Sequence, residues 1–599
     1  MLYAVAALAL VGYLIAALVI NWENALPVVL AALALTAYAV AWSHWPAGGP
    51  DQPSGSAWLV GAIGSRATAR TVALAGGCVL VVLHAVVLGV LMDKSSESLT
   101  ALVGLALIVL VCWLSSTNRR KVRWWPVLSG FTIQFWLAVL VLRTGAGRSA
   151  LNWLSCQVTT LLNNARAGAK FVFAMNGLPD ASVDDLLRTF AFGVMPVTIF
   201  FGTFCGCALY LGVLQLVFEH AGGALGALMG VTPTEGVVAI ANVFLSMTDS
   251  PLLLRPLLPL LTRSQLFAIM TGGFASVAGG VLAAYISFGV DPDNLLAACI
   301  MSAPASIAIA KLMVPDEDGE CGAAMPVLLS RRATHPDSEA TYRRARAAME
   351  VELRAPARKA AVGVELGEIS FDAPGGGGSG GGGCGGGCGG GGSGERESDG
   401  LVHTRRMRMP RSTAANIVEA AADGAATAAP MVGAIVTNLI AFVSLVHFAD
   451  SCVAWLASLV GVDTNMTQIL GYAFWPVALL IGTPAADCEL VGQYLGTKLV
   501  VNEFVAYAHL GDDMKAGKVS SRAASVATYA LCGFSNLGSM GIMIGALSGI
   551  FPPLKAPMVA DITRALAAGT IACLSTACFA SMLYQEGESG SGAEAPTTC

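Results

Sequence analysis

The stretch that decides the fold is Gly496-Thr-Lys-Leu-Val-Val-Asn-Glu-Phe-Val-Ala-Tyr507, in which Lys498, Asn502 and Glu503 interrupt a run of hydrocarbon side chains. An ionisable side chain at bilayer depth costs at least ~2.5–3.5 kcal/mol on insertion scales, so such residues usually face a cavity and serve a function there. A second polar stretch, Asn242-Val-Phe-Leu-Ser-Met-Thr-Asp-Ser-Pro251, lies upstream. Two such interruptions in separate halves of a membrane protein are typical of a transporter with a binding site near the bilayer midplane.

The composition places the chain in a membrane. Its 599 residues are 55% hydrophobic and 12% charged, whereas soluble domains carry about 25% charged residues. The sequence shows no basic stripe of the kind that binds nucleic acid. It also shows no nucleophile–base pair, metal-ligand set or phosphate-cradling loop in a suitable context, so we expect neither an enzyme nor a cofactor. Most of the 15 cysteines lie in apolar segments and are predicted to be small buried side chains.

Long apolar runs predict an all-α polytopic membrane protein, because about 20 apolar residues span a bilayer as a helix. The runs lie at 2–20, 25–42, 72–92, 99–116, 126–143, 190–218, 265–289, 293–313, 428–449, 520–546 and 556–583. The first run lacks a positive leader and is followed at once by another, so it reads as a membrane helix rather than a signal peptide. Segments 222–262 and 464–505 carry the polar stretches and are not clean single spans.

Lysine and arginine positions predict the orientation. Arg66, Arg70 and the cluster 119–123 fall in alternate loops, and such basic loops usually face the cytoplasm. This places the N-terminus in the cytoplasm. The tail 584–599 has acids and neither lysine nor arginine, which suits the extracellular side. We expect a multi-pass integral membrane protein with this orientation and assign it to the plasma membrane, although the charge pattern does not indicate which cellular membrane holds it.

Residues 314–412 form one long polar insertion. It is rich in arginine, and its middle, 375–394, is a Gly/Ser linker that should be a flexible coil. It is either a regulatory tether or lineage-specific padding. The predicted organisation is three extra N-terminal membrane helices (1–98), a first half with scaffold helices and a first hairpin (99–313), the cytoplasmic insertion (314–412), a second half with a second hairpin (413–583) and an extracellular tail (584–599).

The first polar stretch has the form of a re-entrant hairpin. Pro233 opens the segment, and Pro251 closes a turn two residues after Asp249. Such half-helices expose backbone groups and side chains to a cavity, where Asn242 and Thr248 would add an amide and a hydroxyl to the Asp249 carboxylate. The alternative is that these polar groups only cap broken helices.

The second polar stretch has the same form. Gly482 to Asp487 reads as a hairpin tip, and Gly496 to Tyr507 as the arm that follows it. A structural pair between Lys498 and Glu503 is the alternative reading. Their spacing of five is poor for one helical face, which favours residues three or four apart.

A third polar cluster, Phe534-Ser-Asn-Leu-Gly-Ser-Met-Gly-Ile542, breaks the apolar run 520–546. Close helix packing explains Gly538 and Gly541, but it explains Asn536 poorly. A carboxylate, an amide and a hydroxyl near one another suit a polyhydroxylated ligand, and Phe534 could pack on a flat base.

These motifs resemble the concentrative nucleoside transporter family. Its Gly-x-Lys-x-x-x-Asn-Glu-Phe-Val-Ala-Tyr signature is complete at Gly496–Tyr507. Further motifs that match are Ser116–Arg119, Phe190–Phe192, Ala275–Gly279, Tyr285–Gly289, Ser302–Lys311 and Asn416–Ala420. Together they cover roughly 100–583 in family order. The three spans before residue 100 resemble the extra helices of longer, eukaryotic-type members.

The resemblance implies a homotrimer that imports nucleosides with sodium. A fixed scaffold would hold a mobile transport domain, and two oppositely oriented re-entrant hairpins in inverted repeats would carry the nucleoside across in an elevator motion. By position, the base would contact Met247, Thr248, Asp249 and Val281. Glu503, Asn536 and Ser539 would hold the ribose hydroxyls, with Phe534 beside them. Sodium would bind the side chains of Asn242 and Ser276 and the carbonyls of Leu245, Ser276 and Val277.

The first hairpin departs from the family pattern. Members usually read Gln-Thr-Glu-Ala-Pro where this chain has Met247-Thr-Asp-Ser-Pro251. Methionine replaces an amide that bonds the base, and aspartate is one methylene shorter than glutamate. Met247 with Val281 resembles purine-preferring members, whereas Ser246 resembles pyrimidine-preferring ones, so we expect a purine-leaning or broad specificity.

Two alternatives stay open at this point. Asp249 or Glu503 could carry a coupling proton instead of sodium, although both sodium-type side chains are retained. The chain could also be a membrane sensor that binds nucleosides without moving them and signals through its basic insertion. A transporter accumulates its substrate, whereas a sensor only binds it.

Overall fold

The computed structural model describes residues 89, 95–173, 190–245, 247–254, 258, 261–316, 414–459 and 461–585. The helices predicted at 2–20 and 25–42, nearly all of the run 72–92, nearly all of the insertion and the tail from residue 586 lie outside the described residues.

The described residues are helical, with no strand among them, so the all-α prediction is confirmed. The first half contains α1 (Ser96–Leu114), α2 (Trp124–Arg143), α3 (Gly145–Phe173), α4 (Phe190–Tyr210), α5 (Val213–Val217), α6 (Gly223–Met229), α7 (Pro233–Phe244), α8 (Arg263–Ala275), α9 (Gly279–Ser287) and α10 (Pro292–Met313). The second half contains α11 (Ile417–Ser458), α12 (Met466–Leu480), α13 (Cys488–Val500), α14 (Glu503–Lys515), α15 (Ser521–Leu531), α16 (Leu537–Ile550) and α17 (Lys555–Met582).

Length and hydropathy identify the membrane-spanning candidates. In the described ranges, five helical segments are long and apolar enough to cross a bilayer: Ser96–Leu114, Trp124–Arg143, Arg263–Leu282, Pro292–Met313 and Pro552–Met582. A sixth candidate is a bent pair, Met195–Tyr210 with Val213–Met229, whose parts meet at 76°. The apolar runs predicted from the sequence at 99–116, 126–143 and 293–313 correspond to α1, α2 and α10.

Short polar side chains cap the N-termini of the helices that begin after a helix break. The side-chain oxygen of Asn502 accepts from the N–H of Val505 at 3.0 Å, and that of Asn536 accepts from the N–H of Ser539 at 2.8 Å. These caps begin α14 and α16, because the first amides of a helix have no partner within it. Pro233 is the first residue of α7, a position where its missing N–H costs nothing.

Helices α4 and α11 pack closely through glycines. Gly202 and Gly206 on α4 face Gly424 on α11 so tightly that a Cβ atom on Gly424 would lie 2.4 Å from the carbonyl oxygen of Gly202. Small residues at such crossings allow backbones to approach, which is how membrane helices gain packing contacts. The ring of Phe201 on α4 packs over Gly279 on α9, where a Cβ atom would lie 2.5 Å from the ring.

A buried charge cluster fixes the start of α7 to the end of α10. Lys311 Nζ lies 2.6 Å from Glu235 Oε1 and 2.5 Å from Asp316 Oδ1, and it donates to Ser264 Oγ at 3.1 Å. Burial alone raises the pKa of Asp316, but the charge and hydrogen bond of Lys311 hold that pKa below its ordinary value. Asp316 therefore stays ionised at neutral pH and helps to neutralise the lysine.

Candidate functional site

The breaks of two interrupted helices lie against each other. Helix α8 ends at Ala275 and α9 begins at Gly279, while α15 ends at Leu531 and α16 begins at Leu537. The N–H of Phe534 donates to the carbonyl of Ser276 at 3.2 Å, which joins one break to the other. Broken helices expose main-chain groups that side chains or ligands then satisfy.

Glu503 is the buried carboxylate of this site. It is 1% exposed and is the first residue of α14, where the partial positive charge of the helix N-terminus favours an anion. One oxygen accepts from Asn536 Nδ2 at 2.9 Å, and the other accepts from the hydroxyl of Tyr285 at 3.4 Å. The sequence predicted that Glu503 and Asn536 act together, and the structure brings them into direct contact.

Asn536 is oriented by its own helix. Its Oδ1 caps α16 by accepting from the N–H of Ser539, so its Nδ2 is directed to Glu503. Ser539 is 4% exposed and Phe534 is half-buried, two residues before Asn536. The predicted ribose-binding residues therefore lie together around the α15–α16 break.

Tyr285 is a contact that the sequence reading did not assign. It lies on α9 and its ring packs 4.5 Å from that of Tyr507 and 5.1 Å from that of Phe504, measured between ring centroids. Tyr507 in turn donates to the carbonyl of Thr528 at 2.8 Å. The motif Tyr285–Gly289 was a signal for this position, but its distance in sequence from Glu503 hid the contact.

The ammonium group of Lys498 makes its hydrogen bond to the main chain rather than to Glu503. The residue is 1% exposed, and Nζ donates to the carbonyl of Ala530 at 3.0 Å. Its charge also interacts with the Glu503 carboxylate electrostatically. The Ala530 carbonyl is thus a direct hydrogen-bond partner, and the buried Cys573 thiol also interacts with the ammonium group.

One predicted arm is divided. Residues 496–507 were expected as the single arm after a tip at 482–487, but the structure ends α13 at Val500 and starts α14 at Glu503. A second break at 501–502 therefore lies inside the motif. Asn502 causes it, because its extended backbone and side-chain cap start a new helix.

The candidate sodium ligands lie near Gly272. Asn242 is 2% exposed, and neither atom of its amide has a hydrogen-bond partner in the described part of the chain. A Cβ atom on Gly272 would lie 2.9 Å from Asn242 Nδ2, and Ser276 Oγ donates to the Gly272 carbonyl at 2.9 Å. Leu245 and Val277 are buried beside the ends of α7 and α8. The unpartnered amide oxygen of Asn242, with the Ser276 hydroxyl nearby, offers the oxygen ligands that a hard cation prefers.

The residues predicted to contact the base differ in how far they are buried. Met247 is 6% exposed and Val281 is 1% exposed, so both belong to the packed interior. Thr248 and Asp249 are half-buried at the tip after α7. A Cβ atom on Gly273 would lie 3.0 Å from Met247 Cβ, so this glycine makes room for the methionine. Contact of these residues with a base stays a prediction.

Two family models match the chain. "Na+ dependent nucleoside transporter N-terminus" matches residues 103–176, and "Na+ dependent nucleoside transporter C-terminus" matches residues 394–581. The second match includes Glu503 and Asn536.

Relatives match over most of the chain. "Solute carrier family 28 member 3" of Rattus norvegicus is 34% identical over 516 residues, which cover 83% of this chain and 61% of the relative. "Sodium/nucleoside cotransporter 1" of Sus scrofa is 32% identical over 524 residues, which cover 85% of this chain and 68% of the relative. The chain thus spans about three-fifths of the length of the rat protein.

Solved structures share the fold. The structure of CNTnw in an inward-facing substrate-bound state gives a TM-score of 0.63 at 28% identity, over 81% of this chain and 98% of that one. A double variant of CNTnw in an outward-facing state gives 0.63 at 27% identity, over 82% and 98%. Inward- and outward-facing states of one fold support alternating access in that protein. By its family models, its relatives and its fold, the present chain belongs to the Na+-dependent nucleoside transporter family.

Proposed function

We propose that the protein is a symporter that imports nucleosides together with sodium. The observation that carries the proposal is the buried Glu503 carboxylate, held by Asn536 and Tyr285 at the meeting point of two helix breaks. A carboxylate can accept hydrogen bonds from two neighbouring ribose hydroxyls, and such charge-assisted bonds are strong. A nucleoside would exchange these internal partners for its own hydroxyls.

The ribose would lie between Glu503, Asn536 and Ser539, with Phe534 beside the base. Met247, Thr248, Asp249 and Val281 would face the other side of the base. The apolar Met247 and Val281 favour a purine-leaning or broad specificity, since a larger flat base gains more apolar contact.

Sodium would bind the side-chain oxygen of Asn242, which has no hydrogen-bond partner among the described residues. Its remaining ligands would be the Ser276 side chain and the carbonyls of Leu245, Ser276 and Val277. Because Ser276 also accepts from Phe534, an ion there would order the first hairpin tip and the α15–α16 break together. Empty and fully loaded carriers would then move, whereas half-loaded ones would not.

Helices α4 and α11 would form the scaffold, and the other described helices would carry the substrate in an elevator motion. Where Phe201 of α4 packs on α9, Gly279 presents no side chain to the ring, which suits sliding. The C-terminal part of α11 presents large apolar side chains outward, including Phe448 at 68% and Trp455 at 63% exposure. This face would meet lipid and neighbouring subunits of a homotrimer in the plasma membrane.

The remaining organisation follows the sequence expectation. The N-terminus and the insertion 314–412 would lie in the cytoplasm, after three extra N-terminal helices within 1–98 and a first half at 99–313. The second half at 413–583 would be followed by an extracellular tail at 584–599.

The test is uptake of labelled adenosine and uridine into cells that lack their own nucleoside carriers, in sodium and in choline, at two pH values. Sodium-dependent accumulation is expected. Uptake that follows acid pH without sodium would move the coupling to Asp249 or Glu503. Binding without accumulation, from a protein at the cell surface, would support a sensor instead.

A further inference from the structure

The two halves of the chain share three elements in the same order, while α14 (Glu503–Lys515) has no helix of comparable length as its counterpart among the described residues of the first half. In each half a helix of similar length ends at a break: α7 has 12 residues and α13 has 13. In each half an interrupted helix follows, α8–α9 in the first and α15–α16 in the second, and then one long helix, α10 or α17. The ends of α7 at Phe244 and of α13 at Val500 are thus counterparts.

Asn242 and Lys498 hold the same position in this repeat. Asn242 is the third residue from the end of α7, which ends at Phe244, and Lys498 is the third from the end of α13, which ends at Val500. Asn242 faces Gly272 in the last turn of α8. Lys498 faces Ala530 in the last turn of α15. Each side chain therefore lies beside the last turn of the interrupted helix in its own half, and Lys498 donates to a carbonyl there.

The two positions differ in charge and in hydrogen bonding. The neutral amide of Asn242 has no partner in the described ranges, whereas the ammonium of Lys498 donates to the Ala530 carbonyl at 3.0 Å. The last carbonyls of a helix lack partners within it and carry partial negative charge, so they favour a cation. In the first half the Gly272 carbonyl accepts from the neutral hydroxyl of Ser276, whereas in the second half the Ala530 carbonyl accepts from a cation that belongs to the chain.

We infer that the Lys498 ammonium is a built-in cation that occupies, in the second half, the place that the first half leaves for an ion. This inference rests on the proposed sodium site at Asn242. On this inference only the first hairpin would respond to a coupling ion, because Lys498 already supplies the positive charge at the break in the second half. The same charge partly balances the Glu503 carboxylate, which keeps both groups tolerable in the interior.

Lys498→Ala tests the inference because it removes the ammonium group and leaves its space open. The variant should lose about tenfold or more of its uptake, since buried carbonyls lose their donor. Millimolar methylammonium, a free counterpart of the lysine head group, should restore uptake in part. Lys498→Met is the matched control, because its neutral side chain fills the space and leaves no room for the amine.

A second readout does not depend on transport. The purified full-length variants are heated with and without methylammonium, because a ligand that binds only the native state raises the melting temperature. Methylammonium should stabilise Lys498→Ala and leave Lys498→Met and the unmodified protein unchanged. An equal response of the Ala and Met variants, or wild-type uptake by Lys498→Met, would overturn the inference.

The two proposals fail in different ways. If the unmodified protein accumulates no nucleoside in sodium, the proposed function fails, yet the melting experiment still reports whether an amine replaces Lys498. If sodium-driven uptake is present but methylammonium does not act on Lys498→Ala, only the built-in cation is rejected.

Discussion

The N–H of Phe534 donates to the carbonyl of Ser276 at 3.2 Å, and this single bond joins the interrupted helix of the second half to that of the first. Ser276 belongs to the proposed sodium site, and Phe534 to the proposed nucleoside site. An ion that draws the Ser276 carbonyl toward itself would therefore act on the nucleoside site through one peptide group. Under the proposed function, this contact would couple the two sites directly.

Glu503→Gln should lower nucleoside uptake about 10- to 100-fold, since hydrogen bonds to a charged acceptor are worth more than neutral ones. Glutamine keeps the size and one acceptor oxygen, so folding should be preserved. Uptake is measured together with the amount of protein at the cell surface. Loss of the protein from the membrane would instead indicate that Glu503 has a structural role.

Tyr285→Phe should have a smaller effect than Asn536→Ala on the same uptake. The Tyr285 hydroxyl lies 3.4 Å from Glu503 Oε1, whereas Asn536 Nδ2 lies 2.9 Å from Oε2 and also belongs to a helix cap. A long bond contributes little. Equal losses in the two variants would show that Tyr285 takes part directly in substrate binding.

Asn242→Ala should raise the sodium concentration needed for half-maximal uptake about tenfold or more, because a buried oxygen ligand is lost. The nucleoside KM at saturating sodium should change less. Ser306→Ala is the control: its hydroxyl also lies near Gly272 but already donates to the Ala303 carbonyl at 2.9 Å. A sodium curve that Asn242→Ala leaves unchanged would remove Asn242 from the ion site.

Met247→Gln should lower the ratio of adenosine to uridine uptake by about tenfold, because an amide can bond a base edge that methionine cannot. The ratio is measured in competition at saturating sodium. Met543→Leu is the control, since Met543 lies across Gly273 from Met247 and keeps its apolar character. An unchanged ratio in Met247→Gln would mean that the buried Met247 never faces the base.

Gly279→Leu should slow transport while leaving nucleoside binding intact, because any Cβ atom there lies 2.5 Å from the ring of Phe201. Adding Phe201→Ala should restore part of the uptake by removing the obstacle. Gly545→Leu serves as the control, since a Cβ atom on Gly545 meets nothing within 4 Å. Normal uptake by Gly279→Leu would argue against sliding at this contact.

Lys311→Met should destabilise the protein by about 3–5 kcal/mol, because it leaves the buried Glu235 without its cation and Asp316 with only the more distant Arg123 at 3.8 Å. The melting temperature of the purified protein reports this loss. Lys515→Met is the control, as Lys515 is 63% exposed and lies 3.8 Å from Asp512. A double change with Glu235→Gln should be less harmful than Lys311→Met alone, and an equal or larger loss would contradict a charge effect.

Much of the architecture followed from local pattern. Apolar runs predicted α1, α2 and α10 to within a few residues, because a span needs a fixed number of apolar side chains whatever surrounds it. The break around Asn536 was also visible, since polar residues in an apolar run mark a helix end. The interruption at 501–502 was missed, because a cap by Asn502 is a matter of backbone conformation that composition does not show.

The sequence by itself determined the membrane class, the family and the polar stretches, because these depend on composition and on short motifs. Only the tertiary structure decided which polar groups meet. Tyr285 and Glu503 are 218 residues apart, and Asn536 and Glu503 are 33 apart, yet both side chains donate to the Glu503 carboxylate. The partner of Lys498 was likewise decided by packing, since Ala530 offers a main-chain carbonyl that no residue name reveals. Long-range contacts depend on how helices cross, and that is set by the whole core at once.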